Sequence, residues 1–211
     1  MAALFEILAT SPELAVRQLA AVELRKKLAK SGKVWAKQPA EIREGIKARL
    51  LEQITREESN LIRNGMARVI AEIARKELPH HSWPALLPWL FEHGEGGNAL
   101  HRQTAVFVLY IVLETFVDSE TLKEYLPRIM SLFAKGLQDP ESLEVRITTV
   151  RALGKVAENL EADGHGDLAA MQSAVPQMVA VLQQCLDASH TEGARQIFDV
   201  FENLSLIHIS E

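Results

Sequence analysis

Five arginines in this chain stand in the same local context, and their spacing is the most regular feature of the sequence. Each follows a small or apolar residue or a histidine and opens a stretch of helical periodicity, and they recur at intervals of 39 to 49 residues: Arg17, Arg63, Arg102, Arg146 and Arg195. A guanidinium group can donate two parallel hydrogen bonds to one carboxylate. We therefore expect these arginines to be structural and to bind a carboxylate or a carbonyl group of an adjacent repeat.

The other reactive side chains do not combine into a catalytic or metal site. His80 and His81 follow a predicted helix end and lack a third ligand at a spacing suited to zinc. The glycine-rich segment 94–97 follows a helix, whereas phosphate-binding loops follow a strand and carry Lys-Ser or Lys-Thr. Glu57 and Glu58 point to different sides of a helix and cannot share a substrate. The sequence therefore predicts no enzyme, no cofactor and no metal.

The elements that position the arginines are predicted to be pairs of helices, an A helix followed by a B helix that carries the arginine. A period near 40 to 47 residues is typical of HEAT repeats. The predicted fold is all-α, an α-solenoid of about five antiparallel helix pairs in a single superhelical array. The predicted repeats cover residues 1–38 (with a truncated A helix), 39–79, 80–118, 119–162 and 163–205, followed by an irregular tail at 206–211. Pro88, Pro127 and Pro176 are expected inside bent A helices.

Helical periodicity then predicts which face of each B helix is buried. Core positions should lie one residue before the arginine and three, seven and eleven residues after it. The predicted core residues are Val16, Ala20, Leu24, Leu28, Ile62, Met66, Ile70, Ala74, His101, Ala105, Leu109, Leu113, Val145, Thr149, Leu153 and Ala157. In the fifth repeat Glu202 falls at a core position, so the register drifts there.

The opposite face of the B helices is the predicted partner-binding surface. In the first two repeats its polar members are mostly basic: Gln18, Arg25, Lys26, Asn64, Arg68, Glu72 and Arg75. In the third repeat the same positions include Gln103, Phe107, Tyr110 and Ile111. Such an apolar patch either is exposed and binds a partner or is covered by neighbouring helices.

The distribution of charge and the N-terminal sequence restrict the classes of partner that we expect for this protein. The net charge of −5 is uneven, with +4 on residues 1–105 and −9 on residues 106–211. The acidic half either favours a basic partner or is a solvated face. No secretory signal opens the chain, and the longest apolar stretch, residues 104–113, is too short to insert into a membrane. Cys185 is the only cysteine and is predicted to be buried, which suits a reducing compartment.

Residues 16–26, with the sequence Val-Arg-Gln-Leu-Ala-Ala-Val-Glu-Leu-Arg-Lys, are followed by Trp35, and this string resembles the N-terminal domain of the importin-β family, the β-karyopherins. The similarity continues to about Phe201 and is strongest to the importin-four-type receptors, which import histones and ribosomal proteins. The resemblance implies that the B helices of the first repeats bind Ran-GTP. It also implies basic cargo such as histones and ribosomal proteins, nucleoporins as partners, no direct nucleic acid, and shuttling between cytoplasm and nucleus. Family chains are several times longer, so this sequence is expected to be part of a longer protein.

Two other functions fit a helical repeat. One is a HEAT scaffold that organises a multiprotein complex, which should lack the residue 16–26 string with its tryptophan. The other is a HEAT-like nucleic-acid binder or base-excision enzyme. The sequence pI near 5.8 and the absence of a base-stacking aromatic residue beside a catalytic aspartate argue against the second.

Overall fold

A computed structural model describes residues 1–30, 32–115, 120–162 and 168–209 of the chain. Within these ranges the regular structure is helical and no β-strand occurs. The chain divides into two compact units, Met1–Trp89 and Leu90–Glu211. Helix pairs joined by short turns make up each unit, so the predicted all-α solenoid class is confirmed.

The described residues of unit 1 form five complete α-helices and one short 3-10 turn. They are α1 (Ala2–Thr10), α2 (Leu14–Lys30), α3 (Gly32–Ala36), α4 (Ala40–Arg56), α5 (Asn60–Glu77) and the turn Leu78–His80. The A helices α1 and α4 contact each other, and the B helices α2 and α5 pack side by side. This arrangement leaves the outer surfaces of α2 and α5 facing the same way.

Unit 2 repeats the arrangement. Its helices are α7 (Ala99–Thr115), α8 (Glu120–Gly136), α9 (Leu143–Ala162), α10 (Leu168–Asp187) and α11 (Thr191–Ile209), while α6 (Leu86–Glu95) contains the boundary between the units. The B helices α7, α9 and α11 pack in that order, and the A helices α8 and α10 pack against α9. Asn98 caps α7, since its side-chain oxygen accepts a hydrogen bond of 2.9 Å from the backbone N–H of His101.

Most predicted core positions are buried. In α5 the side chains of Ile62, Met66, Ile70 and Ala74 are all fully buried. The predicted apolar positions of α7 and α9, and the polar Thr149, are buried as well, while His101 is half-buried. Cys185 is fully buried, and burial raises the pKa of its thiol.

The structure corrects the predicted core at the first B helix and at the fifth. Val16 is 44% exposed, because the first turn of α2 lies uncovered, with Leu14 also 48% exposed, and the buried stripe of this helix begins only at Ala20. In α11 the buried stripe is shifted relative to the predicted core positions. Ile197 and Val200 are buried, whereas Glu202, at a predicted core position, is exposed.

One predicted boundary, one proline position and one short helix also differ from the sequence predictions. The tail at 206–211 was predicted to be irregular, but α11 continues to Ile209. Pro88 lies in the first turn of α6 instead of its interior, whereas Pro127 and Pro176 lie inside α8 and α10 as predicted. The short helix α3, which buries Trp35, has no helical periodicity long enough to be recognised in the sequence.

Two of the five repeated arginines bind the next repeat as predicted, and two more make structural hydrogen bonds within their own repeat. Arg17 pairs with Glu57 of the next repeat and donates to the Leu8 carbonyl at 2.9 Å. Arg102 pairs with Asp139 of the next repeat, with an Nε–Oδ2 distance of 2.6 Å. Arg63 donates to the carbonyl groups of Glu57 and Glu58. Arg146 donates to the carbonyl group of Asp139. In both cases the acceptor lies in the turn that precedes the arginine's own helix. Arg195 is the exception, because its partners Glu192 and Asp199 lie on its own exposed helix.

Burial at Leu109 gives a direct test of the helical phasing in unit 2. Its side chain is fully buried in α7. Replacing a buried leucine by alanine removes apolar contacts and leaves a cavity, so Leu109→Ala should lower the free energy of unfolding by at least about 2 kcal/mol. Leu186→Ala is the matched control, since Leu186 is 51% exposed on α10 and the change should cost within about 0.5 kcal/mol. Equal midpoints of urea unfolding for the two variants would contradict the phasing.

Candidate partner-binding grooves

The first candidate site is a groove on the outer surface of α2 and α5 in unit 1, with a volume of about 240 Å³. These helices approach closely because small residues meet at their contact. A Cβ atom built on Gly65 would lie only 2.9 Å from the Cβ atom of Ala21. The close approach forms the floor of the groove, and the longer side chains beside it form the rim.

Four of the ten residues predicted to bind a partner line this groove. Gln18 and Arg25 come from α2, and Asn64 and Arg68 from α5. The remaining lining residues were not predicted as site residues: Ala21, Val22, Leu61 and Gly65. The helical periodicity of the sequence grouped the polar residues of the rim. The apolar floor depends on how closely two helices approach each other, and the pattern of a single helix does not contain that information.

Three further predicted residues of unit 1 lie outside the groove and are paired on their own helices. Lys26 bonds to Glu23 at 3.0 Å. Arg75 bonds to Glu72 at 3.1 Å, and Lys76 lies 3.9 Å from the same carboxylate. Their charges are therefore partly neutralised within the protein.

The predicted residues of the third repeat lie on α7 in unit 2 and are mostly covered. Tyr110 is 8% exposed and Ile111 is 2% exposed, while Gln103 and Phe107 are half-buried. The guanidinium of Arg151 lies 4.4 Å from the centre of the Tyr110 ring and donates a hydrogen bond of 3.1 Å to its hydroxyl group. Of the two alternatives left open by the sequence, coverage by a neighbouring helix is the correct one for Tyr110.

Unit 2 has a second groove, formed by α7, α9 and α11, and Tyr110 is the predicted site residue that lines it. Its volume is also about 240 Å³, and its lining includes Arg151, Lys155, Glu158, Arg195 and Asp199. Arg151, Lys155 and Glu158 follow Arg146 by five, nine and twelve residues. Arg68, Lys26 and Arg75 stand at the same offsets from the arginines of the first two repeats and were predicted as outer-face residues, so the same rule applied to the fourth repeat would have located these three.

The charged side chains of this second groove bind one another. Lys155 bonds to Glu158 at 2.7 Å, and Arg195 bonds to Glu192 at 2.7 Å and to Asp199 at 3.2 Å. The hydrogen bonds from Arg195 and Gln196 lower the pKa of Glu192 to about 2. Each cation of this groove thus has a partner within the protein.

A buried ionic cluster centred on Glu77 fixes the end of α5 in unit 1. Glu77 is 3% exposed and accepts hydrogen bonds from the Trp35 indole N–H and from Arg43 at 3.2 Å. Lys47, which is 1% exposed, lies 3.3 Å from Glu77 and donates at 2.6 Å to the carbonyl of Ser82. The tryptophan that marks the sequence string therefore connects α3 to α4 and α5.

The described part of the chain contains neither a candidate metal site nor a candidate membrane-spanning helix. No cluster of three or more histidine, cysteine, aspartate or glutamate side chains there could hold a metal ion. None of the helices in those ranges combines the length and apolarity required for a membrane span.

Two families of known proteins match the sequence. Residues 1–66 match the importin-beta N-terminal domain, and residues 58–207 match the family described as IPO5-like, TPR repeats. The probable importin subunit beta-4 of Schizosaccharomyces pombe is 34% identical over 94% of this chain and 18% of its own length. Importin-4 of Mus musculus is 25% identical over 92% of the chain and 17% of its own length. The chain thus spans less than a fifth of the length of these relatives.

Solved structures agree with the sequence matches. Kap121p bound to Nup53p superposes with a TM-score of 0.74 at 25% identity, covering 95% of this chain and 18% of Kap121p. Kap95p in complex with RanGDP superposes with a TM-score of 0.73 at 21% identity, covering 98% of this chain and 25% of Kap95p, a likeness that concerns the fold alone. The second family match covers most of the chain and the first covers its opening helices. The chain therefore belongs to the importin-β family.

Proposed function

We propose that this protein is a nuclear transport receptor that binds Ran-GTP through the groove between α2 and α5. The observation that carries the proposal is that Gln18, Arg25, Asn64 and Arg68, predicted as partner-binding residues, line one groove. Family membership supports the same function, and the structural relative Kap95p has been solved with RanGDP. The residue 16–26 string with Trp35, which a general HEAT scaffold should lack, favours a receptor.

Basic cargo, such as histones and ribosomal proteins, and nucleoporins complete the proposed set of partners. The −9 charge of residues 106–211 supports a basic cargo, because an acidic surface attracts cations over long range. The relative Kap121p has been solved bound to Nup53p and bound to Pho4p, which supports partners of these classes. The protein would then shuttle between cytoplasm and nucleus, without direct nucleic-acid binding or enzymatic activity.

The nucleotide state of Ran provides the first test of this function. We expect the 211-residue chain to bind Ran loaded with a non-hydrolysable GTP analogue at least about tenfold more tightly than Ran-GDP, a difference of about 1.4 kcal/mol. Isothermal titration calorimetry with both forms measures it. Equal affinity for the two forms, or no binding of either, would contradict the proposal.

A steric variant tests the location of this binding site. Asn64→Trp places a large ring on the exposed rim of the groove and should weaken Ran-GTP binding about tenfold or more. Ala48→Trp is the matched control, because Ala48 is exposed on α4 and does not line the groove. If both variants bind like the original chain, Ran-GTP contacts another surface.

A further inference from the structure

The polar rim of the unit 1 groove has unused binding capacity. Among the described residues, the side chains of Gln18, Arg25, Asn64 and Arg68 form no hydrogen bond or ion pair. Arg25 is half-buried and Arg68 is exposed. Two arginines around one groove repel each other unless an anion lies nearby. A bound anion would convert this repulsion into two charge-assisted interactions.

The unit 2 groove shows that this arrangement is not a general property of the B-helix face. There Arg151 bonds to Tyr110, Lys155 to Glu158, and Arg195 to two carboxylates. The two grooves have the same volume of about 240 Å³, yet only the groove in unit 1 has cations without partners in the described structure. The difference indicates that the unit 1 groove is the one prepared for an external anion.

The floor of the groove restricts which anion fits. Ala21, Val22 and Leu61 form an apolar surface between the polar side chains, and Leu61 is 46% exposed. A free phosphate or a nucleic-acid backbone would cover the arginines but leave this surface in water. Nucleic acid also requires a longer row of free cations, whereas the nearby Lys26 and Arg75 are already paired.

We propose that the groove binds a protein segment in which a carboxylate side chain adjoins an apolar side chain. The carboxylate lies between Arg25 and Arg68, the apolar side chain covers Leu61 and Val22, and the amides of Gln18 and Asn64 bond to the backbone of the segment. This inference rests on the proposed function in that the segment belongs to Ran-GTP. It specifies the chemistry that the partner must present to this site.

A small probe tests the chemistry of the groove without Ran. 4-Methylpentanoate combines a carboxylate with a branched apolar tail, and 4-methylpentanamide is the same molecule without the charge. In NMR titrations of the isotope-labelled chain, we expect the acid to shift the side-chain Nε–H signals of Arg25 and Arg68 together with the Leu61 methyl signals. The amide should leave the arginine signals unchanged.

Other outcomes of the titration would overturn the inference. Equal shifts from acid and amide would show that the arginines do not bind the carboxylate. Arginine shifts from inorganic phosphate as large as those from the acid, with the Leu61 methyl signals unmoved by either, would identify a simple anion site. No shift of the arginine signals with the acid would show that the groove binds no carboxylate.

Charge reversal tests the same groove with Ran-GTP itself. Arg25→Glu combined with Arg68→Glu should weaken binding of Ran-GTP by roughly 30-fold, because two favourable charge contacts become repulsive. The matched control is Lys27→Glu combined with Arg56→Glu, which changes the net charge equally at exposed positions outside the groove and should alter affinity less than about threefold. Circular dichroism checks that both variants remain folded.

The two experiments separate the inference from the proposed function. If the acid probe shifts the groove signals but Ran-GTP does not bind, the proposed function fails and the chemistry of the groove stands. If Ran-GTP binds and the groove and control pairs weaken it equally, the proposed function stands and the inference is wrong.

Discussion

Glu77→Gln should lower the free energy of unfolding by about 3–5 kcal/mol, because it removes the buried counter-charge of a buried cation. Lys47 is 1% exposed, and Glu77 is its buried partner at 3.3 Å. The Trp35 indole N–H and Arg43 also lose the negative charge to which they donate. Urea unfolding followed by circular dichroism measures the loss.

Glu44 offers a matched control within the same cluster. It pairs with the same lysine at 2.6 Å, but its side chain is 66% exposed. A solvated ion pair of this kind contributes about 0–1 kcal/mol, so Glu44→Gln should change stability by no more than that. Equal effects of the two variants would show that burial of the Glu77 charge is energetically unimportant.

A compensating change tests the physical reason for the effect. Removing both charges, with Glu77→Gln and Lys47→Met together, replaces the buried ion pair by neutral groups. Replacing a buried pair in this way is often nearly neutral, so the double variant should be more stable than Glu77→Gln alone. A double variant that loses the sum of both single effects would indicate that the two charges do not interact.

The fold was predictable because its main signal is local and repeated. The spacing of the five arginines located the B helices, and the phasing derived from them correctly placed Ile62, Met66 and Leu109 in the core. The arginines also predicted the kind of group that they bind, a carboxylate or a carbonyl group, as the pairing of Arg102 with Asp139 shows. These features depend on residues within one repeat or its nearest neighbour.

The parts that sequence did not predict depend on packing between elements. Val16 fits the apolar stripe but is exposed, because the first turn of α2 lies uncovered and burial begins only at Ala20. Tyr110 lies on the outer face by periodicity but is covered by Arg151 of the next B helix. The outer-face pattern also treated Arg25 and Arg75 alike, although Glu72 pairs only with the second. What distinguishes a free cation from a paired one is the neighbouring side chain, which the periodicity of the helix does not specify.

The second large effect concerns Asp139, through which Arg102 binds the next repeat. Asp139 is 3% exposed and accepts hydrogen bonds from Arg102 and from the backbone N–H groups of Glu141 and Ser142. Asp139→Asn retains the shape of the side chain but removes its charge, so it should lower the free energy of unfolding at neutral pH by about 3 kcal/mol. Glu141→Gln is the matched control, because Glu141 also pairs with Arg102 but is 63% exposed, and its loss should cost less than about 1 kcal/mol.

The pH dependence of this effect follows from the pKa of Asp139. Burial alone would raise that pKa, but the hydrogen bonds from Arg102 and from the two backbone N–H groups outweigh burial and hold it below the usual value. A carboxyl group with a lowered pKa in the folded state stabilises the protein above its unfolded-state pKa, and this contribution is lost as pH falls through the folded-state pKa. The stability difference between the original chain and Asp139→Asn should therefore be largest at pH 7 and should shrink below about pH 4. Urea unfolding of both proteins across this range measures it, and a difference that stays constant with pH would show that the Arg102–Asp139 pair does not depend on the carboxylate charge.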